Sequence, residues 1–263
     1  MTNKHGSFIW YELITDDADA AQRFYADVVG WDVAAHPGAA AGGGDYRILS
    51  APDGGVGGLM QLNPECHCDA RPAWLGYFGV DDVDAGAARI SAAGGKVMMG
   101  PMDLPGVGRV AMVSDPQGLP FYIMRGASEA SSNSFDPEAV GHCAWNELVT
   151  SDLSAAMDFY GTQLNIAKGD VMQMGDRGDM GEYQFMDHDG TMIGGAMKAF
   201  ALQQPLGWTF YFRVADVDTA HDKIASGGGK VMMGIHQVPG GDWVVIALDP
   251  QGARFGVVGA RTA

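Results

Sequence analysis

The sequence predicts an α+β fold built from four copies of one module: a strand, a helix and three further strands. Two observations carry that reading. First, Gly94-Gly95-Lys96-Val97-Met98-Met99-Gly100 recurs as Gly228-Gly229-Lys230-Val231-Met232-Met233-Gly234, and Asp115-Pro116-Gln117-Gly118 recurs as Asp249-Pro250-Gln251-Gly252. Both recurrences are 134 residues apart (228 − 94 and 249 − 115), which marks an internal duplication. Second, one order of strand and helix signals is legible twice within each half.

The duplication reaches back through most of the chain. Val80-Asp81-Asp82-Val83-Asp84-Ala85 matches Val214-Ala215-Asp216-Val217-Asp218-Thr219. Trp10-Tyr11-Glu12-Leu13 matches Trp145-Asn146-Glu147-Leu148, and Phe24-Tyr25 matches Phe159-Tyr160, now 135 residues apart, so one loop residue differs. The expected domains are therefore residues 1–127 and 140–263. Residues 128–139 read as a linker, because Ser128 to Pro137 is small, polar and ends in proline.

Taken in order, Phe8 to Ile14 is a short aromatic and β-branched strand. Thr15-Asp16-Asp17 supplies a cap, and Ala20/Ala21, Phe24 and Val28 recur at helical spacing. Gly30 stands where a helix C-cap belongs. Gly42 to Gly44 is a loop. Tyr46 to Ser50 and Val56 to Leu62 are strands around the hairpin signal Pro52-Asp53-Gly54-Gly55. After a Pro-bounded loop the order returns: a strand from Trp74 to Val80 and a helix from Asp84 to Ala92. Strands at Val97 to Met99, Arg109 to Ser114 and Pro120 to Met124 follow. The second half repeats both modules over 143–200 and 207–259.

Composition sets limits. Hydrophobic content of 47% suffices for two cores of ordinary domain size. A net charge of −16 without any basic run argues against a nucleic-acid partner. Three cysteines, an odd number, argue against a disulfide framework and for a reducing compartment. No apolar run approaches a membrane span, and Met1 to Ser7 lacks an apolar signal core, so the expectation is a cytoplasmic protein.

Phe24-Tyr25 and Phe159-Tyr160, Val80-Asp81 and Val214 to Asp216, and the two Asp-Pro-Gln-Gly turns resemble the vicinal oxygen chelate superfamily. That superfamily holds the glyoxalases, bleomycin-resistance proteins and extradiol dioxygenases. The resemblance covers the whole chain. It implies tandem glyoxalase-like domains, four βαβββ modules forming two half-open mixed-sheet barrels. Short connections predict that each half closes its own sheet, with exchange between modules one and four as the alternative.

In the superfamily a divalent metal sits inside the barrel on ligands from first and last strands. By the family spacing those positions fall on Trp10, Leu75 and Tyr122 in one half, and on Trp145, Thr209 and Gly256 in the other. None is a histidine or a carboxylate, and hard divalent ions need several oxygen or nitrogen donors. Gln61 is the one further donor on the fourth strand of module one. The expectation is no metal and no cofactor.

Glu12 and Glu147 lie two residues beyond the tryptophans and so share their sheet face. Each reads either as a satisfied structural acid or as a ligand-binding or proton-transferring carboxylate. Tyr211, Arg213 and Arg254 should point inward too, either to bind an anion or with Arg213 neutralising Glu147. Met98-Met99 and Met232-Met233 read as core filling, with an adaptable lining as the alternative. Cys66-His67-Cys68 gives poor tetrahedral geometry on a short loop. Gly42 to Gly44 lacks the residues of a nucleotide loop. His5 and His142 should face outward and be non-catalytic. His188 belongs to a hairpin turn, His221 to a helix surface and His236 to a loop.

The function expected is a glyoxalase- or bleomycin-resistance-like protein that binds a small organic molecule in an apolar aromatic cup without metal. Trp10, Tyr122 and Trp145 would give it flat contact surface, with Tyr211, Arg213 and Arg254 as further contacts. The alternative is a lyase or isomerase acting on a small reactive carbonyl compound, with Glu12 or Glu147 as base. The partners expected are a small molecule and a second copy in a homodimer, with neither nucleic acid nor membrane.

Overall fold

The computed structural model describes residues 3–36, 45–62, 70–175, 180–201 and 204–262. Gly42 to Gly44 and Cys66-His67-Cys68 lie outside the described residues. Module one comprises β1 (Phe8–Thr15), α1 (Ala18–Val28), β2 (Asp32–Ala35), β3 (Tyr46–Ala51) and β4 (Gly54–Gln61). Module two comprises β5 (Ala73–Gly79), α2 (Val83–Ala92), β6 (Lys96–Leu104), β7 (Gly108–Ser114) and β8 (Pro120–Gly126). Module three comprises β9 (Cys143–Thr150), α3 (Leu153–Leu164), β10 (Ala167–Gln173), β11 (Glu182–His188) and β12 (Thr191–Lys198). Module four comprises β13 (Gly207–Arg213), α4 (Val217–Ser226), β14 (Lys230–Gln237), β15 (Trp243–Leu248) and β16 (Arg254–Gly259).

The four-module α+β reading holds, and each helix starts where its sequence says it should. Asp17, Asp82, Asp152 and Asp216 sit at the N-caps in extended conformation, and each side chain accepts the N–H three residues on. Such a cap stabilises a helix by about 1 kcal/mol. Gln61 has a structural task as well: its amide oxygen accepts Ala18 N–H at 2.7 Å and its amide nitrogen donates to Asp16 carbonyl at 2.5 Å.

Backbone pairing follows the halves, as expected. One eight-stranded sheet runs β2-β3-β4-β1-β5-β8-β7-β6 and the other β10-β11-β12-β9-β13-β16-β15-β14. Both are mixed: β1 pairs parallel to β4 and β5 parallel to β8, while β3–β4 and β7–β8 are antiparallel. Neither closes into a barrel. Compactness divides the chain differently. One unit holds residues 1–9, 76–132 and 145–208, chiefly modules two and three. The other holds 10–75, 133–144 and 209–263, chiefly modules one and four.

Each unit has an aromatic core on the helix side of its strands. In the second unit Tyr11 packs edge-on to Phe210 and Phe212, and Phe212 also meets Trp31 and Trp74. In the first, Phe8 and Phe78 pack with Trp208, and Phe121 packs with Tyr160. Burying such rings supplies the largest apolar area per residue.

Two expectations need correction. The methionine pairs do not fill the core: Met98 is 57%, Met232 52% and Met233 46% exposed. The reason is sheet order, since β6 and β14 are terminal strands and have a neighbour on one side only. His142 does not face outward: it is buried. Its Nδ1 lies 2.6 Å from the Asn133 carbonyl and its Nε2 2.9 Å from Asp53 Oδ1. The linker is thereby fastened, and Asn133 Nδ2 donates to the same Asp53 carboxylate at 2.8 Å.

Candidate functional site

Strand β9 places Trp145 and Glu147 on one sheet face, two residues apart. Between them stands a residue the sequence reading did not single out, Tyr183 of β11. Trp145 Nε1–H donates to the Tyr183 hydroxyl at 2.8 Å, and that hydroxyl donates to Glu147 Oε2 at 3.3 Å. The tyrosine reaches this position because β12 has glycine opposite Glu147. Gly195 is in register with Glu147, and a Cβ on Gly195 would stand 2.0 Å from Tyr183 Cε1.

Apolar groups surround this polar row. Tyr183 packs with Val149 and Met197 in a buried cluster, and the half-buried Trp145, Phe185, Met172 and Met174 lie against it. Phe185 stands edge-on to Trp145 at 6.0 Å and to Tyr183 at 5.5 Å. Burial, and then the Glu147 charge, raise the Tyr183 hydroxyl well above the ordinary tyrosine pKa. It therefore keeps its proton across neutral pH and acts as a donor to the carboxylate.

Module one repeats the arrangement with a difference. Trp10 Nε1–H donates to the Tyr46 hydroxyl at 3.0 Å. Gly58 is in register with Glu12, and a Cβ on Gly58 would lie 2.0 Å from the Tyr46 hydroxyl and 3.1 Å from Trp10 Nε1. Glu12 is buried at 3% exposure, whereas Glu147 is half-buried.

The signal for the missed tyrosines was in the repeat. Asp45-Tyr46-Arg47-Ile48-Leu49 parallels Glu182-Tyr183-Gln184-Phe185-Met186, and Val56-Gly57-Gly58 parallels Ile193-Gly194-Gly195, all 137 residues apart. Loop length differs ahead of these strands, so the fixed offset of 134 or 135 does not find them.

The other predicted site residues are placed as follows. Tyr122 is buried and stacks on Tyr77 with centroids 4.3 Å apart and planes at 18°. Tyr77 is in register with Tyr122, as Tyr211 is with Gly256. With no side chain at Gly256, the Tyr211 ring lies over it, 2.2 Å from where a Cβ would be. Arg213 is committed within its own unit. Its Nη2 pairs with Asp242 Oδ2 at 2.6 Å and its Nε donates to the Pro137 carbonyl. Arg254 is half-buried at the start of β16, in register with Leu248.

The donors do not fit a divalent ion at the positions the family spacing implies. Both indoles there carry only an N–H, already given to a tyrosine; Leu75 has no donor atom, Gly256 no side chain, and Thr209 is a neutral hydroxyl. Among the described residues no three His, Cys, Asp or Glu side chains gather as a metal site.

Comparisons place this geometry among known proteins. Over 97% of its length, and 94% of the relative's, the chain is 32% identical to the anthracycline biosynthesis protein DnrV of Streptomyces peucetius. It is 45% identical to the glyoxylase candidate CFP32 of Mycobacterium tuberculosis over 129 residues, 49% of this chain and 48% of that one. The fold superposes on the Mn(II)-bound glyoxalase of Novosphingobium aromaticivorans with a TM-score of 0.64 at 17% identity, covering 97% of this chain and 82% of that one. The family model described as glyoxalase/bleomycin resistance protein/dioxygenase superfamily matches residues 7–123 and 139–257, and the chain belongs to that superfamily.

Proposed function

We propose that the protein binds a small, flat organic molecule on the sheet face that carries Trp145, Glu147 and Tyr183. A counterpart lies around Trp10, Glu12 and Tyr46. The observation that carries this reading is the row Trp145–Tyr183–Glu147, edged by the half-buried rings and thioethers of Phe185, Met172 and Met174. Aromatic surfaces accept a planar ligand with little loss of side-chain entropy, thioethers adapt to its outline, and one oriented carboxylate fixes its direction. The full-length likeness to a protein named for anthracycline biosynthesis makes an anthracycline the first probe.

Quenching of tryptophan emission on titration with an anthracycline tests the proposal. Trp145→Ala should weaken binding by about tenfold or more, the loss expected of a central aromatic contact. Saturable quenching that is unchanged in Trp145→Ala would move the site elsewhere, and no quenching would end this choice of ligand.

A second reading is favoured by one observation, the Tyr183 hydroxyl on Glu147, which holds a carboxylate in fixed orientation as a general base requires. It would make the protein a lyase or isomerase of small reactive carbonyl compounds, in line with the half-length likeness to CFP32. Turnover of methylglyoxal with a thiol, abolished in Glu147→Gln or Glu12→Gln, decides for this reading over simple binding.

A further inference from the structure

The unit built from modules one and four carries a groove on its helices. It has a volume of about 240 Å³, lies between α1 and α4, and is lined by Pro250 as well. Its floor is Phe24, a ring 4% exposed. Gly227 opens it, since a Cβ there would stand 3.0 Å from Phe24 Cδ2 and 2.9 Å from the Lys223 carbonyl oxygen. Backbone geometry does not call for glycine, because φ is −79°. The repeat has Ala93 at this position (227 − 134), with φ −85°.

The charges at the rim are unequal. Lys223 Nζ donates to the Asp27 carbonyl at 2.8 Å and stands 3.2 Å from the Asp27 carboxylate, so that pair is neutral. Arg23 is exposed and has no hydrogen-bond or ion-pair partner among the described residues. At its repeat position (158 − 135 = 23) the chain has Asp158, of opposite charge. A guanidinium without a partner among the described residues thus stands beside an aromatic ring, on a protein whose net charge is −16. A guanidinium fork matches a carboxylate with two parallel hydrogen bonds, which an ammonium cannot do.

We propose that this groove binds a small aromatic carboxylate, with Arg23 taking the carboxylate and the ring lying against Phe24 and Pro250. None of its lining residues belongs to the row around Trp10, Glu12 and Tyr46. Its volume admits a single ring with its substituents.

The probe is 4-fluorobenzoate, followed by fluorine NMR with the full chain at low salt, and 4-fluorobenzamide is the neutral counterpart. The expected result is saturable broadening of the benzoate signal, with the amide at least about tenfold weaker because the charged hydrogen bonds are lost. Arg23→Gln should weaken benzoate by a similar factor. Gly227→Ala should abolish binding by filling the groove. Arg23 is exposed, so its variant keeps the fold and the test stands even if Gly227→Ala does not. Equal binding of benzoate and benzamide, equal binding by wild type and Arg23→Gln, or no binding at millimolar ligand would each overturn the proposal.

Discussion

The hydroxyl of Tyr160 donates to Asp115 Oδ2 at 3.2 Å and accepts the indole N–H of Trp208 at 3.3 Å, all three groups buried. The duplicate is Tyr25 on Asp249 Oδ2 at 3.0 Å, with Trp74 donating at 2.8 Å. The two motifs that announced the repeat, Phe-Tyr on the odd helices and Asp-Pro-Gln-Gly before the last strands, are therefore partners. A helix of one module is bolted to a turn of another in the same unit. Oδ1 of Asp115 accepts the N–H groups of Gln117 and Leu119, and Gly118 takes the left-handed φ of +87° that closes the turn.

Tyr160→Phe should destabilise the protein by about 1–3 kcal/mol, because it strands a buried indole N–H and a buried carboxylate oxygen together. Tyr25→Phe should cost a similar amount. Urea unfolding is the measurement: the midpoint should fall while the slope is kept. A midpoint equal to wild type for both would show that the two relays fasten nothing.

Burial raises the carboxyl groups of Asp115 and Asp249 above the ordinary carboxylate pKa. A raised folded-state pKa gives stability that is complete below the unfolded value and is lost as pH rises through the folded one. In Asp115→Asn the part of that slope due to Asp115 should disappear, leaving the part due to Asp249. Against wild type the variant should look worst at acidic pH and recover toward neutrality. A loss of stability that is constant with pH would refute the assignment.

Fold and site were legible to different degrees, for physical reasons. Trp10, Glu12, Trp145 and Glu147 were found because strand alternation fixes which residues share a face, and the repeat marks them twice. Tyr46 and Tyr183 were missed because their strands follow loops of unequal length. Their importance also depends on an absence, the side chains missing at Gly58 and Gly195. The methionines were misread because KVMM satisfies the composition of a core strand, and only sheet order makes β6 and β14 edges. Arg213 was judged by its face alone, whereas its guanidinium is set by Asp242 and Pro137, distant in sequence.

Gly195→Ala should cost about 1–3 kcal/mol and abolish ligand binding on the Trp145 face, since the new methyl meets the ring of Tyr183 at 2.0 Å. Gly58→Ala meets the far end of Tyr46, a half-buried side chain where Tyr183 is buried, and should cost less. Thermal melts of the two variants check the order. Equal losses would mean that the two tyrosines are held alike.

The Asp53 carboxyl is held below the ordinary range, chiefly by its bond to His142. A lowered folded-state pKa gives stability that is present above the unfolded value and is lost as pH falls through the folded one. At pH 7, Asp53→Asn should speed hydrogen exchange of the linker amides from Asn133 to Cys143. As the pH drops below the carboxylate range, wild type should approach the variant. A linker equally protected in both at pH 7 would show that His142 needs only the Asn133 carbonyl.

Dilute hydrogen peroxide should oxidise the exposed methionines first, most of them on edge strands. Met98, Met102, Met232 and Met233 are each more than 40% exposed, as is Met192 of β12, whereas Met157 is 2% exposed and Met186 is fully buried. Oxidation needs contact between the peroxide and the sulfur, so rates follow exposure, and a sulfoxide on a solvated edge disturbs no packing. Peptide mapping by mass spectrometry over a time course should find sulfoxide on the edge residues while the melting temperature stays unchanged. The position of Met98 and Met232 on terminal strands also makes the result a check on sheet order. If either sheet gained a strand from a second copy along β6 or β14, these sulfurs would be covered, and their oxidation would slow as protein concentration rose. Rates independent of concentration would mean that both edges stay open in solution.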